Sequence, residues 1–127
     1  MHNRTEWNRR LTGNFNWTRD LIETHVLNEQ NANAVVIMAH ATNSPDNTKF
    51  FHPMRDYLQN ELGNTIPILH LNGDTHIWKY EPNYFGQPSW LRITLEGEAR
   101  EPPLKVMVDG SFSVNTVQEA FSYDRGL

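Results

Sequence analysis

Apolar residues recur along this chain first at helical and then at strand spacing. Between residues 14 and 29, Trp17, Leu21 and Thr24 fall on one face, with Ile22 and Val26 close by, which predicts an amphipathic helix. Asn14 is placed to cap its first turn, and the Asn-rich stretch 28–33 ends it. Residues 34–39 (AVVIMA) form a continuous apolar run with β-branched members, the pattern of a strand covered on both faces, and the run stops at His40. Residues 41–47 (ATNSPDN) are a loop by composition. Helical spacing returns over 50–62 through Phe51, Met54, Tyr57 or Leu58 and Leu62, and Gly63 supplies a stop. Residues 66–71 (IPILHL) predict a second buried strand, and Asn72-Gly73 a turn. A further strand starts over 77–80, and 81–89, with Pro82, Gly86 and Pro88, reads as a loop. Residues 90–95 (WLRITL) and 104–108 (LKVMV) alternate as half-buried strands do, and from Asp109 onward periodicity is weak.

That order predicts the α/β class: two helices with a mixed sheet of about five strands, in one domain over residues 1–127. Two buried strands joined by a helix predict a parallel pair. The later strands are expected to be antiparallel, on its edge or in a packed second sheet. Only 38% of the 127 residues are hydrophobic, yet four Trp, six Phe and four Tyr supply bulky core material. The formal charge of -4, without a Lys/Arg cluster, argues against nucleic-acid binding driven by phosphate attraction. Without cysteine there is no disulfide, thiolate metal site or Cys nucleophile. The first residues lack the apolar segment of a signal peptide, and no run reaches the ~18 apolar residues of a membrane span, so a soluble chain is expected.

Chemistry-bearing residues gather at two predicted strand ends. His40 follows AVVIMA, and Asp74 and His76 follow IPILHL in the turn Asn72-Gly73-Asp74-Thr75-His76. In open α/β sheets, ligands bind beyond the carboxyl ends of the strands, where side chains are held rigidly and still reach a cleft. Imidazole is the commonest metal ligand, and Asp74 adds a hard oxygen donor. A mixed N/O set suits Zn, Fe, Mn or Ni.

From Asn14 to Val108 the chain resembles the C-terminal half of the calcineurin-like metallophosphoesterase family. The likeness rests on the strand ending in His (AVVIMAHA), the helix after it, the second strand, and the turn NGDTH. The family turn usually reads Gly-His-x-His, so Asp74 stands where the first of those histidines would be. A subgroup similar to this chain carries Gly-Asp-x-His followed by a β-rich stretch containing Arg, which WLRITLEG and PPLKVMVD resemble. The resemblance implies an α/β sandwich and hydrolysis of phosphate mono- or diesters at two divalent ions, with His40 a ligand of one and His76 of the other. Asp74 takes the place of a ligating His.

The family places its Asp-x-His, Gly-Asp-x-x-Asp and Gly-Asn-His-Asp/Glu motifs upstream of this segment. The residues before Asn14 are too few to hold them, so three donors at most are expected and a dinuclear site is not complete. The stretch ILHLNGDTHI also resembles the family's first motif, but WKYEP and strands follow it rather than the next two motifs. The expectation is a C-terminal phosphoesterase segment, inactive alone. The alternative is a non-catalytic α/β binding or interaction module with structural His and Asp residues.

The remaining polar residues have plainer roles open to them. Asp74 suits an Asx turn as well as a ligand. His70, inside IPILHL, is expected in the core; His25 and His52, on helices, at the surface; and His2 is terminal. Asn43 and Asp46 lie in a loop. Arg92 is expected on the solvated face of its strand, and Trp78, Tyr80, Tyr84, Phe85 and Trp90 in core packing. Two uncharged strands cannot comfortably face water, so a homodimer or the absent N-terminal half is expected to cover them. A tail over residues 111–127, with Phe112, Val114, Val117, Phe121 and Tyr123, is the other way to cover the sheet.

Overall fold

In the computed structural model, which describes residues 4–40, 44–73, 76–96, 103–109 and 120–126, helices cover one face of a four-stranded mixed sheet. A separate antiparallel pair of strands covers part of the other face. The α/β class is as predicted. The strands divide into a sheet of four and a sheet of two rather than one sheet of about five.

Helix α1 (Arg4–Leu21) continues as a π-helix over Ile22–Asn28. It begins ten residues before Asn14, which is therefore no cap. Polar side chains build this extra length. The Glu6 carboxylate accepts from Arg9 at 2.6 Å and Arg10 at 3.1 Å, one turn on, and hydrogen bonds from those two guanidinium groups pull its pKa down to about 2. The buried face is also not the predicted one. Leu11, Phe15 and Ile22 are buried, whereas Trp17 is 66% and Leu21 39% exposed. Spacing alone cannot say which of two adjacent apolar stripes meets the sheet.

Strand β1 (Val35–Met38) follows, then a 3-10 turn (Pro45–Asn47) and helix α2 (Thr48–Asp56), which continues as a π-helix over Tyr57–Glu61. Gly63, at φ 59°, ends it as predicted. Next come β2 (Ile68–Asn72), β3 (Lys79–Glu81) and β4 (Trp90–Thr94). The spatial order is β1-β2-β4-β3. β1, β2 and β4 are parallel, with α2 as the crossover between the first two, and β3 is antiparallel on the far edge.

The pleat sends alternate residues to opposite faces. Ile68 and Trp90 meet Phe51, Met54, Leu58 and Tyr84 on the helical side. Leu69, Leu91 and Ile93 meet Ala120 and Phe121 on the other. β5 (Lys105–Val108) and β6 (Phe121–Asp124) pair antiparallel there, and the Tyr123 ring lies 5.5 Å from Trp78 and 5.6 Å from Tyr80. Part of the tail thus does cover the sheet, through a strand that weak periodicity hid. Phe112, Val114 and Val117 lie outside the described residues.

Two burial expectations are reversed. All five residues of β4 are buried, because β4 is internal rather than half-buried. β1 is covered on one face only: Val36 is 41% and Met38 80% exposed. The Val35 N–H donates to the Pro67 carbonyl and the Ala39 N–H to the Leu71 carbonyl, both at 3.0 Å. Val36 and Met38 between them therefore turn their peptide groups toward the edge of β1 that no described strand occupies. Among the described residues no helix is long and apolar enough to cross a membrane.

An uncharged strand with an open edge is a template for pairing, and a two-fold axis lets the same edge cover itself. The expected outcome in sedimentation velocity is a concentration-dependent dimer, shifted to monomer by Val36→Lys. A single species of the chain's own 14.8 kDa at every concentration would show that the edge does not pair.

Candidate functional site

The parallel arrangement makes β1, β2 and β4 finish on one edge of the sheet. His40 leaves β1 one residue after Ala39, whose N–H is bonded to Leu71 of β2, so His40 emerges beside Asn72-Gly73. The turn after β2 is tied at both ends to one residue: Thr94 of β4 pairs with Asn72 on one side and with Lys79 on the other. The chain therefore leaves the sheet at β2 on one side of β4 and re-enters it as β3 on the other, crossing the carboxyl end of β4. His76 lies in that crossing, exposed and at φ 60°, a left-handed conformation that costs a Cβ-bearing residue on the order of 1–2 kcal/mol.

His40 follows β1, and the chain that carries His76 leaves the adjacent β2 and passes to β3, on the far side of β4; β4 itself lies two strand spacings, about 10 Å, from β1. Asp74, the third predicted ligand, lies outside the described residues, as do Thr75 and Asn43. Among the described residues no group of three His, Cys, Asp or Glu side chains is close enough to hold a metal ion. Two exposed imidazoles on one edge offer donors of the right chemistry, but only part of a ligand set.

A buried polar cluster lies behind this edge. Arg92 is only 6% exposed, which reverses the expectation of a solvated side chain. Its Nε–H donates to Asn72 Oδ1 at 3.0 Å and its Nη1 to the Glu81 carboxylate at 3.1 Å, while the guanidinium carbon sits 5.4 Å from the Tyr84 ring centroid. The Thr94 hydroxyl donates to the same Asn72 oxygen at 3.1 Å. One side-chain carbonyl thus links β2 to two positions of β4, directly before the turn that carries His76. The Asn72 main-chain oxygen also accepts the Leu95 N–H at 2.7 Å. The cluster left a trace in the sequence. His70 and Asn72, and Arg92 and Thr94, are polar residues two apart in otherwise apolar strands, so each pair shares a face.

His70 is fully buried, as expected, with its ring 5.6 Å from Phe51 and 5.7 Å from Tyr84. Tyr84 and Trp90 are core residues, and Trp78, Tyr80 and Phe85 pack against the core half-buried. His52 is exposed and stacks on Phe85. His25 is partly exposed beside Glu29, and Asp46 is exposed and pairs with Arg4 at 3.1 Å. Near the same sheet edge, a hollow of about 290 Å³ opens between α1, the end of β1 and the start of α2.

The chain matches no protein-family model, no curated protein and no solved structure.

Removing the Asn72 carbonyl takes away the acceptor shared by Arg92 and Thr94, one of them a buried cation. Asn72→Ala is expected to cost about 2–4 kcal/mol in urea unfolding. Glu81→Gln is expected to cost less than about 1 kcal/mol, because the Glu81 side chain is 38% exposed and water can replace it. Equal costs for the two substitutions would show that Asn72 is not the centre of the cluster.

Proposed function

We infer that this chain contributes the carboxyl-edge metal ligands of a divalent-metal-dependent phosphoester hydrolase, related in kind to the calcineurin-like metallophosphoesterases that its sequence resembles. One observation carries the reading. The parallel register of β1 with β2 brings His40 beside the turn that displays His76. That is the juxtaposition the two motifs AVVIMAH and NGDTH require if they serve one centre.

The left-handed backbone at His76 fits this reading, since backbone strain of this kind clusters at sites that hold ligands. The buried Asn72–Arg92–Thr94 cluster gives the turn a rigid base, as a site that must hold donors in place needs. His40 and His76 would hold the metal through neutral imidazole, with Asp74 as the oxygen donor. The bound metal would supply charge neutralisation for a phosphate and activation of water. Three donors fall short of what two ions need, so the chain alone is expected to bind metal weakly and to turn over little or no phosphoester.

A non-catalytic α/β interaction module is the second reading. Its support is the exposed apolar stripe of Val36 and Met38 on β1, 41% and 80% exposed, which a partner would cover.

Isothermal titration with Mn²⁺ and Zn²⁺ separates the two. Binding that is lost at least about tenfold in both His40→Ala and His76→Ala, a change of roughly 1.4 kcal/mol, is the expected result. Retention of full affinity in both variants favours the interaction module. Assays of p-nitrophenyl phosphate and of a bis-ester with Mn, Zn, Ni or Fe added are expected to stay far below the ~10 per second typical of enzymes. Turnover near that rate, abolished by His76→Ala, would show that this chain alone builds a complete site.

A further inference from the structure

The hollow of about 290 Å³ near the carboxyl edge has a composition of its own. Aromatic rings of Trp17, Phe50 and Phe51 line it, with the imidazole of buried His70. Asn14 and Thr18 of α1 add polar groups; the Thr18 hydroxyl donates to the Asn14 carbonyl at 2.8 Å, so its own oxygen remains able to accept. Ile37 and Ala39 of β1 complete the strand side. No Asp, Glu, Lys or Arg is among the described residues that line it.

These features restrict the occupant. A lining without permanent charge would strip water from an ion and return nothing, so a phosphate does not belong inside. Aromatic walls favour a flat ring, which gains stacking as well as burial. The volume is roughly twice the ~150 Å³ of a cavity that takes benzene, which suits two fused rings. A few hydrogen-bonding groups in a mainly apolar hollow are the usual make-up of a small-molecule site. Trp17, which lines the hollow and is 66% exposed, is poorly covered as it stands and gains cover from an occupant.

The position supplies the other end of the ligand. Ala39 lines the hollow and His40 is the next residue, so a group seated inside emerges toward the metal edge. We propose that this hollow receives the uncharged, bicyclic aromatic group of a ligand whose phosphoryl end lies at the His40–His76 edge. The aromatic seat stands on the geometry of the hollow, and the phosphoryl end rests on the function inferred above.

The test uses 2-naphthol, 2-naphthyl phosphate and Mn²⁺ with the whole chain; binding without metal is read by ¹H–¹⁵N correlation spectra, and the arms with paramagnetic Mn²⁺ by isothermal titration. 2-Naphthol is expected to shift the amides of Thr18, Ile37 and Ala39 with a dissociation constant below about 1 mM, in the range open to so small a ligand. Thr18→Phe, which fills the hollow from the helix, is expected to weaken it at least about tenfold while the thermal midpoint holds. If that variant does not fold, Ala39→Leu fills the hollow from the strand. With Mn²⁺ present, 2-naphthyl phosphate is expected to bind more tightly than 2-naphthol, and His76→Ala to remove only that increment. Absence of 2-naphthol binding, or binding that survives both filling substitutions, overturns the aromatic seat whatever the metal does. If 2-naphthol binds as expected but phosphate and Mn²⁺ add nothing, the seat stands and the phosphoester reading fails.

Discussion

β2 carries Ile68, His70 and Asn72 on its helical side and Leu69 and Leu71 on the other, and every one of them except half-buried Leu71 is shut away from water. A strand covered on both faces must have neighbours on both edges as well, because an unbonded peptide group in that position costs several times what a hydrogen bond returns. β1 and β4 supply those neighbours, both parallel to it. Parallel pairing forces the chain to cross from the end of β1 to the start of β2, and α2 makes that crossing along the sheet. The common carboxyl edge follows from this pairing, and with it the placing of His40 and His76.

The polar residues of the interior serve the same strand. Asn72 is the last residue of β2, and its side-chain oxygen meets both Arg92 and Thr94. Burying a guanidinium among Tyr84 and other core groups is costly unless its donors are met, so the cation fixes β4 against β2 in one register. A slip by one residue would turn Arg92 onto the face where Leu91 and Ile93 pack and leave it among apolar side chains. The cluster therefore contributes register more than stability, and the turn that follows Asn72 is placed accordingly.

Much of the fold was legible in the sequence, and what was not has identifiable causes. AVVIMA and IPILHL were readable as strands and the stretch between them as a crossover helix, because apolar runs and helical spacing depend on local pattern. The position of a strand within the sheet does not. WLRITL alternates in sequence yet all of Trp90–Thr94 is buried, since β3 came to lie outside it. AVVIMA reads as doubly covered yet forms an edge. The start of α1 was hidden because Arg4 to Asn14 is rich in polar residues, held helical in part by the Glu6–Arg9–Arg10 ion pairs. β6 was hidden because only Phe121 of its four residues is buried. Of the candidate site, His40 and His76 could be named from strand-end position. The buried place of Arg92 was read wrongly, because an Arg in an alternating strand ordinarily faces water, although its spacing from Thr94 was a trace of the cluster.

The central claim is that His40 and the turn after Gly73 serve one metal centre. Paramagnetic broadening by Mn²⁺ in ¹H–¹⁵N spectra tests it most directly, because relaxation falls off steeply with distance from the ion. If His40 and His76 share the ion, substoichiometric Mn²⁺ will broaden the amides of His40, Gly73 and His76 together and leave Gly63 and Ile68, at the other end of β2, sharp. Broadening of only one of the two segments, or broadening centred on exposed carboxylates elsewhere, such as Glu29, would contradict a shared centre.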